Sequence, residues 1–295
     1  MKAIPQYAVI DAPSILGLSP TGVETLPEAL KKAGLMQGLS AEYAGRIDPP
    51  PYNPERDAAV RILNPHSIRE FSLRLAEKVA EVRERDQFPV VLGGDCSILI
   101  GCMLAMRRSG RYGLFFIDGH ADFYQAEAEP KGEVASMELA IVSGRGPDVL
   151  TDIDGRKPLV RDEDIVAFGY RDSEEQKEHG SQDLRATDVH ALDLDQVRAL
   201  GSAIAARQAV TTLQQQRLTG FWIHLDADVL DDTIMPAVDY RQPGGLQWDE
   251  LAEVLKVLAA SGQAAGMTIT ILNPKRDPDG SITGKFTQTI VTGLS

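Results

Sequence analysis

A chain of 295 residues with 43 Asp and Glu against 30 Lys and Arg carries a formal net charge of -13, which excludes a nucleic-acid surface built on clustered cations and general adhesion to anionic membranes. Hydrophobic residues make up 43% and charged residues 25%, the balance of a globular protein with a large core. No stretch reaches the ~18 uninterrupted apolar residues of a membrane span, Pro5 and Asp11 interrupt the apolar run a cleavable signal needs, and Cys96 and Cys102 do not read as a disulfide framework, so a soluble cytoplasmic protein is expected.

In chain order, Tyr-Ala-Val-Ile at 7–10 predicts a strand ending at Asp11-Ala12-Pro13, and a short helix starts near Pro27 and stops at Gly34. Pro49, Pro50, Pro51 and Pro54 make 47–56 an extended surface connection. Too little chain precedes it to fold alone, so it is no domain linker. Ile68, Phe71, Leu75, Val79 and Val82 recur at helical spacing and predict a helix over 66–85, with His66 a partly exposed residue near its start. Phe-Pro-Val-Val-Leu at 88–92 is a strand leading into Gly93-Gly94-Asp95-Cys96-Ser97, and an apolar helix follows over 97–106. Residues 114–117 are continuously apolar, as in a strand buried on both faces of a parallel sheet, and end abruptly in Asp118, His120 and Asp122.

Further on, 165–168 is a strand followed by Gly169-Tyr170-Arg171-Asp172-Ser173-Glu174-Glu175. Residues 195–216 favour helix, with an interruption at Gly201. Another strand, 221–225, ends in Asp226-Ala227-Asp228. Leu251, Val254, Leu255 and Leu258 share one face of a helix over 248–260, a last strand covers 267–272, and a closing helix covers 286–294. The chain has no repeat and no low-complexity tract. Strands alternating with helices predict one α/β domain over 1–295, with a mainly parallel sheet covered by helices on both faces.

Asp118-Gly119-His120-Ala121-Asp122 sets oxygen, nitrogen and oxygen donors at alternate positions past a strand end, and an extended backbone there would project all of them to one side. A lone D-x-H-x-D is equally a solvated polar turn. Cys96 and the pair Asp226/Asp228 follow other strands, however, and the carboxyl ends of parallel strands share one edge. Four carboxylates, an imidazole and a thiolate gathered there repel one another unless cations sit among them. Two divalent ions ~3.5–4 Å apart satisfy such a set.

These segments resemble the ureohydrolases, the arginase and agmatinase family of binuclear metal amidinohydrolases, whose motifs are G-G-D-H-S, D-A-H-x-D and S-x-D-x-D-x-x-D-P. The matching stretches are Gly93 to Ser97, Asp118 to Asp122 and Leu225 to Asp232. Gly22-Val23-Glu24, Pro27-Glu28-Ala29-Leu30, Pro243-Gly244-Gly245-Leu246 and Asn273-Pro274 echo further family segments. The resemblance implies a three-layer α/β/α fold. It also implies Asp118 and Asp226 bridging both ions, Cys96 and Asp122 completing one site, His120 and Asp228 completing the other, and Asp122 shuttling a proton. Manganese is the metal it implies, and trimers or hexamers are common in the family.

The departures bear on substrate and metal. Cys96 stands at the family's histidine ligand, and a thiolate favours zinc, cobalt or iron more than an imidazole does. The same exchange, with Trp222-Ile223-His224-Leu225-Asp226, resembles a branch that hydrolyses N-hydroxyarginine and releases hydroxyurea. His224, inside its strand, reads as a packed or hydrogen-bonded histidine and not as a ligand. Ala135-Ser136-Met137-Glu138 aligns with the family's H-G-x-P, and Ile271 with the glutamate that pairs a guanidinium. Glu133, Glu138 and Glu174, each otherwise a surface residue, are the substitutes in view. Glu174 is assigned to substrate because 169–175 resembles the family's G-x-R-D loop.

The expected function is metal-dependent hydrolysis of a linear amidine or guanidine. The alternatives are the hydroxyguanidine branch and a non-catalytic homologue binding a metal or metabolite. A nucleotide-binding protein is disfavoured, because Gly93-Gly94-Asp95 matches no phosphate loop.

Overall fold

A computed structural model describes residues 6–295; Pro5, used above on the N-terminal run, lies outside them. Among the described residues the strands are β1 Tyr7–Ala12, β2 Glu42–Arg46, β3 Phe88–Gly93, β4 Tyr112–Ile117, β5 Ile165–Phe168, β6 His190–Leu192, β7 Gly220–Asp226 and β8 Ala264–Thr270. They form one sheet in the order β2-β1-β3-β8-β7-β4-β5-β6. Every neighbouring pair is parallel. The inner strands β3, β4 and β7 are buried along their whole length. A strand covered on both faces has no solvent side to mark with polar residues, hence the unbroken apolar runs.

The helices are α1 Leu26–Lys32, α2 Leu35–Leu39, α3 Pro65–Glu84, α4 Leu99–Ser109, α5 Glu138–Val142, α6 Asp148–Thr151, α7 Ser173–Glu178, α8 Leu194–Leu200, α9 Ser202–Gln215, α10 Trp248–Ala260 and α11 Ser281–Leu294. Leu26 and Leu30 of α1, Ala205 and Ala209 of α9, Leu251 and Leu255 of α10 and Phe286 of α11 pack on the sheet face that carries Phe115 and Ile223. Phe71 and Leu75 of α3, Met103 of α4 and Leu139 of α5 pack on the face that carries Phe116 and Trp222. The architecture is the expected three-layer α/β/α arrangement. No helix of the described residues is long and apolar enough to cross a membrane.

Several boundaries differ from expectation for local reasons. The edge strand β2, Glu-Tyr-Ala-Gly-Arg, is largely exposed and lacks alternation, and β6 is a three-residue edge. Such edges carry little hydrophobic signal. Strand β8 ends at Thr270 and not at 272, because Ile271 turns to φ 68. Helix α11 begins five residues early, at Ser281, because the Asp277 carboxylate accepts hydrogen bonds from the Ile282 and Thr283 amides at 3.3 and 2.7 Å.

Candidate metal centre

Three loops at the carboxyl edge of the sheet build the site, and each is shaped by its own aspartate. After β3, Asp95 accepts from the Ser97 amide at 2.9 Å and from the Ser14 hydroxyl at 2.8 Å, closing a turn that delivers Cys96. Gly94 permits the turn: a Cβ there would lie 1.9 Å from the Ser14 carbonyl oxygen. After β4, Asp118 Oδ1 accepts from the His120 amide at 2.7 Å, and after β7, Asp226 Oδ1 accepts from the Asp228 amide at 2.7 Å. Each bond folds the chain so that the next donor turns inward. The backbone is therefore not extended through Asp118 to Asp122, and Asp122 itself takes φ 43. Convergence comes from turns rather than from strand alternation.

The loops interlock. Gly119 N donates to Asp228 Oδ1 at 3.1 Å, and the His120 ring contacts Asp228 Oδ2 through Nδ1 at 2.9 Å. Arg171, from the loop after β5, donates to the carbonyls of Asp228 and Gln242 at 2.9 and 3.2 Å. Asp172 accepts from the Ala121 amide at 2.9 Å. Cys96 Sγ reaches across β8 to Asp226 Oδ2 at 2.9 Å and Thr270 Oγ1 at 3.1 Å. In register, Asp226 pairs with Thr270, whose short side chain leaves room for that reach.

Cys96, Asp118, His120, Asp122, Asp226 and Asp228 all meet here. Donor atoms of Asp118, His120 and Asp228 lie within 4.8 Å of one another, as do those of Cys96, Asp118, Asp122 and Glu138, and those of Cys96, Asp118, His224 and Asp226. Burial and the crowd of like charges push the carboxyls of Asp118, Asp122, Asp226 and Glu138 well above the usual range. The Cys96 thiol is raised likewise, first by burial and then by Asp226. Burial opposes charge on His120, yet Asp228 carries its pKa up to about 10, and the same pairing holds Asp228 low against its own burial. Burial lowers His224 to about 3, so its ring is neutral.

Four atoms in this cluster have no hydrogen-bond partner: Asp118 Oδ2, both carboxylate oxygens of Glu138 and His224 Nε2. Buried acceptors left bare cost several kcal/mol of solvation. Carboxylates, imidazoles and a thiolate in this crowding are what divalent cations compensate, so the residues present fit a metal pair.

A cavity of about 230 Å³ opens onto the cluster, lined on the ligand side by His120, Asp122, Asp226 and Asp228 and on its outer walls by Glu129, Glu133, Glu175 and Tyr240. Leu18, Ala135 and Ile271 supply its apolar part. Glu174 is not there. It is exposed and faces a separate hollow with Ser173, Lys177 and Arg185, because α7 turns Glu175 and His179 toward the cavity and Glu174 away. Glu133 and Glu138 are not surface residues either. Glu133, 3% exposed, accepts from Ser19 at 2.9 Å and Tyr240 at 2.7 Å. Glu138 is fully buried against Asp122. Its burial had a signal in the sequence, since it opens the apolar run Leu139-Ala140-Ile141-Val142.

A family model described as the Arginase family matches residues 6–294. An arginase of Bacillus subtilis (strain 168) is 30% identical over 298 residues, covering 97% of this chain and 96% of that protein. An arginase of Staphylococcus aureus (strain COL) is 28% identical over 277 residues, covering 91% and 90%. The solved structure of the Bacillus caldovelox arginase superposes with a TM-score of 0.89 at 27% identity, covering 99% of this chain and 98% of that one.

Proposed function

We propose that this chain, which belongs to the arginase family, hydrolyses a carbon–nitrogen bond of a small linear amidine or guanidine at a pair of divalent metal ions. The observation that carries the reading is the meeting of Cys96, Asp118, His120, Asp122, Asp226 and Asp228 around bare buried acceptor atoms, beside a cavity that His120, Asp122, Asp226 and Asp228 line. Asp118 and Asp226 are assigned to both ions, Cys96 and Asp122 to one, His120 and Asp228 to the other. Manganese suits the oxygen-rich His120 side. When bound, such ions supply a water acidic enough to lose its proton near pH 7, against 15.7 in bulk.

The chain's own groups do the rest. Asp122 sits at the cavity with its carboxyl raised by burial and by Glu138. It can accept the proton of the attacking water and hand it to the departing nitrogen. Water oxygen becomes bonded to the amidine carbon, the carbon–nitrogen bond breaks, and the released amine carries the proton away. His120 is oriented by its contact with Asp228. The acidic walls, Glu129, Glu133 and Glu175, suit a substrate with a cationic tail. Metal analysis together with kcat/KM for a panel of amidines and guanidines tests the proposal; absence of bound metal and of turnover after loading with manganese, cobalt or zinc overturns it.

One observation favours the hydroxyguanidine branch as a second reading. The cavity floor beside the ligands carries Ile271, 5% exposed, and Ala135. A full guanidinium against that apolar floor would lack a carboxylate partner, and a hydroxyguanidine, being less basic, loses less there. Release of hydroxyurea rather than urea distinguishes the two.

A further inference from the structure

We propose that His224 is a metal ligand through Nε2, so that the ion beside Cys96 is held by Cys96, Asp118, His224 and Asp226, with His224 in the place given above to Asp122, which keeps its proton role. The assignment rests on the metal-centre reading above and adds to it a donor from inside a strand. His224 is fully buried on β7, two residues before Asp226 and so on the same face of the strand. Its ring stacks on Phe116, with centroids 4.8 Å apart and planes 13° from parallel.

Of the two ring nitrogens, Nε2 is the one without a hydrogen-bond partner. Nδ1 lies 2.8 Å from Thr268 Oγ1. That hydroxyl also receives the Trp222 indole N–H at 3.4 Å and has its own proton directed at the Ile223 carbonyl at 3.5 Å. The proposal takes the tautomer in which Thr268 accepts from His224, so that Nδ1 carries the hydrogen and Nε2 keeps its lone pair. A ligating histidine is commonly held in this way, with the far nitrogen donating to the protein.

Nε2 then faces Asp118 Oδ2 at 3.8 Å, too long for a hydrogen bond, and neither atom has another partner. Two polar atoms without hydrogen-bond partners confront each other in a fully buried site. Cys96 Sγ, one carboxylate oxygen each of Asp118 and Asp226, and a His224 ring nitrogen all lie within 4.8 Å of one another. A cation among these atoms satisfies all of them, and loading releases the thiol proton that now bridges Cys96 and Asp226. One sulfur, one nitrogen and two oxygens form a set that suits zinc or cobalt in tetrahedral coordination more than manganese. The two ions would thus differ in kind, with a softer one beside Cys96 and a harder one beside His120.

The test is cobalt titration of the purified full chain, followed by its optical spectrum, with the wild type, Cys96→Ser and His224→Asn. Asparagine retains a donor where Nδ1 meets Thr268 but has no distal nitrogen. In the wild type a thiolate-to-cobalt charge-transfer band is expected, and Cys96→Ser abolishes it. His224→Asn is expected to weaken the ion responsible for the band by about 100-fold or more, since disturbing even an outer partner costs about 10–100-fold, while the other ion is retained. Unchanged affinity and band in a folded His224→Asn protein overturns the proposal. Should that variant fail to fold, X-ray absorption of the wild type at one equivalent of zinc decides: sulfur and imidazole in one coordination shell supports it, and sulfur without imidazole overturns it. Wild-type protein that binds no cobalt or zinc at all fails the underlying metal-centre reading, a result separate from loss of the His224 assignment alone.

Discussion

Asp122 and Glu138 share a buried corner in which neither carboxyl can spread its charge into water. Asp122→Asn keeps the shape and removes the group proposed as the proton carrier. It is expected to lower kcat by about 10²- to 10⁴-fold, read from steady-state rates with metal content measured alongside. Glu138→Gln removes a carboxyl whose ionisation burial and Asp118 oppose in the metal-free protein. We expect the melting temperature of that form to rise by a few degrees at pH 8, from about 1–2 kcal/mol of relieved desolvation, with weaker metal binding; a lower melting temperature would contradict this. Ligand residue types were visible in the sequence because carboxylates, histidine and cysteine have no ordinary business at the ends of apolar strands. The apolar run after Glu138 marks a buried helix, but that this helix sets Glu138 beside Asp122 follows from tertiary packing. His224 sits at the same strand parity as Asp226, which marked its face, but its bare nitrogen depends on Thr268 of another strand.

At the scale of elements, the loops after β3, β4 and β7 carry the chemistry, and small residues let them pack. Gly94→Ala would drive a Cβ into the Ser14 carbonyl. The expected cost is about 1–3 kcal/mol of stability, together with weaker binding of the Cys96-side ion as that loop shifts; denaturant melts with and without metal measure both. Ile271 at φ 68 is a β-branched residue in the left-handed region, a conformation of the kind held at functional sites at a cost of about 1–3 kcal/mol. Its amide donates to the Gly94 carbonyl at 2.9 Å, tying the end of β8 to the Cys96 loop. Inner strands and the long amphipathic helices were legible because burial on both faces or on one stripe dictates residue type. The short edges β2 and β6, and the turn of α7 that aims Glu175 rather than Glu174 into the cavity, follow from tertiary packing that no local window contains.

For the molecule as a whole, the metal-free site is a reservoir of strain that depends on pH. Asp118, Asp122, Asp226 and Glu138 have folded pKa values raised above their unfolded ones. Below the unfolded carboxyl range, near pH 4, both states are protonated and no difference arises. As pH rises from there, the unfolded chain gives up protons that the folded chain retains, so stability falls. His120 acts in the same direction: its pKa is raised to about 10, so its contribution is full below about 6.5 and is lost as pH rises through 10. Asp228 and His224 are lowered and act oppositely, Asp228 at acid pH and His224, lowered to about 3, below about pH 6.5. Metal-free protein is therefore expected to melt at lower temperature at pH 8 than at pH 6. Ions that bind the deprotonated groups should reverse the trend, adding about 2.7 kcal/mol at a concentration 100 times Kd. The most direct test of the account is the number of divalent ions retained per chain after loading and exhaustive desalting, by elemental mass spectrometry. Two per chain, falling to one in His224→Asn, is the predicted result; a chain that retains none would contradict it.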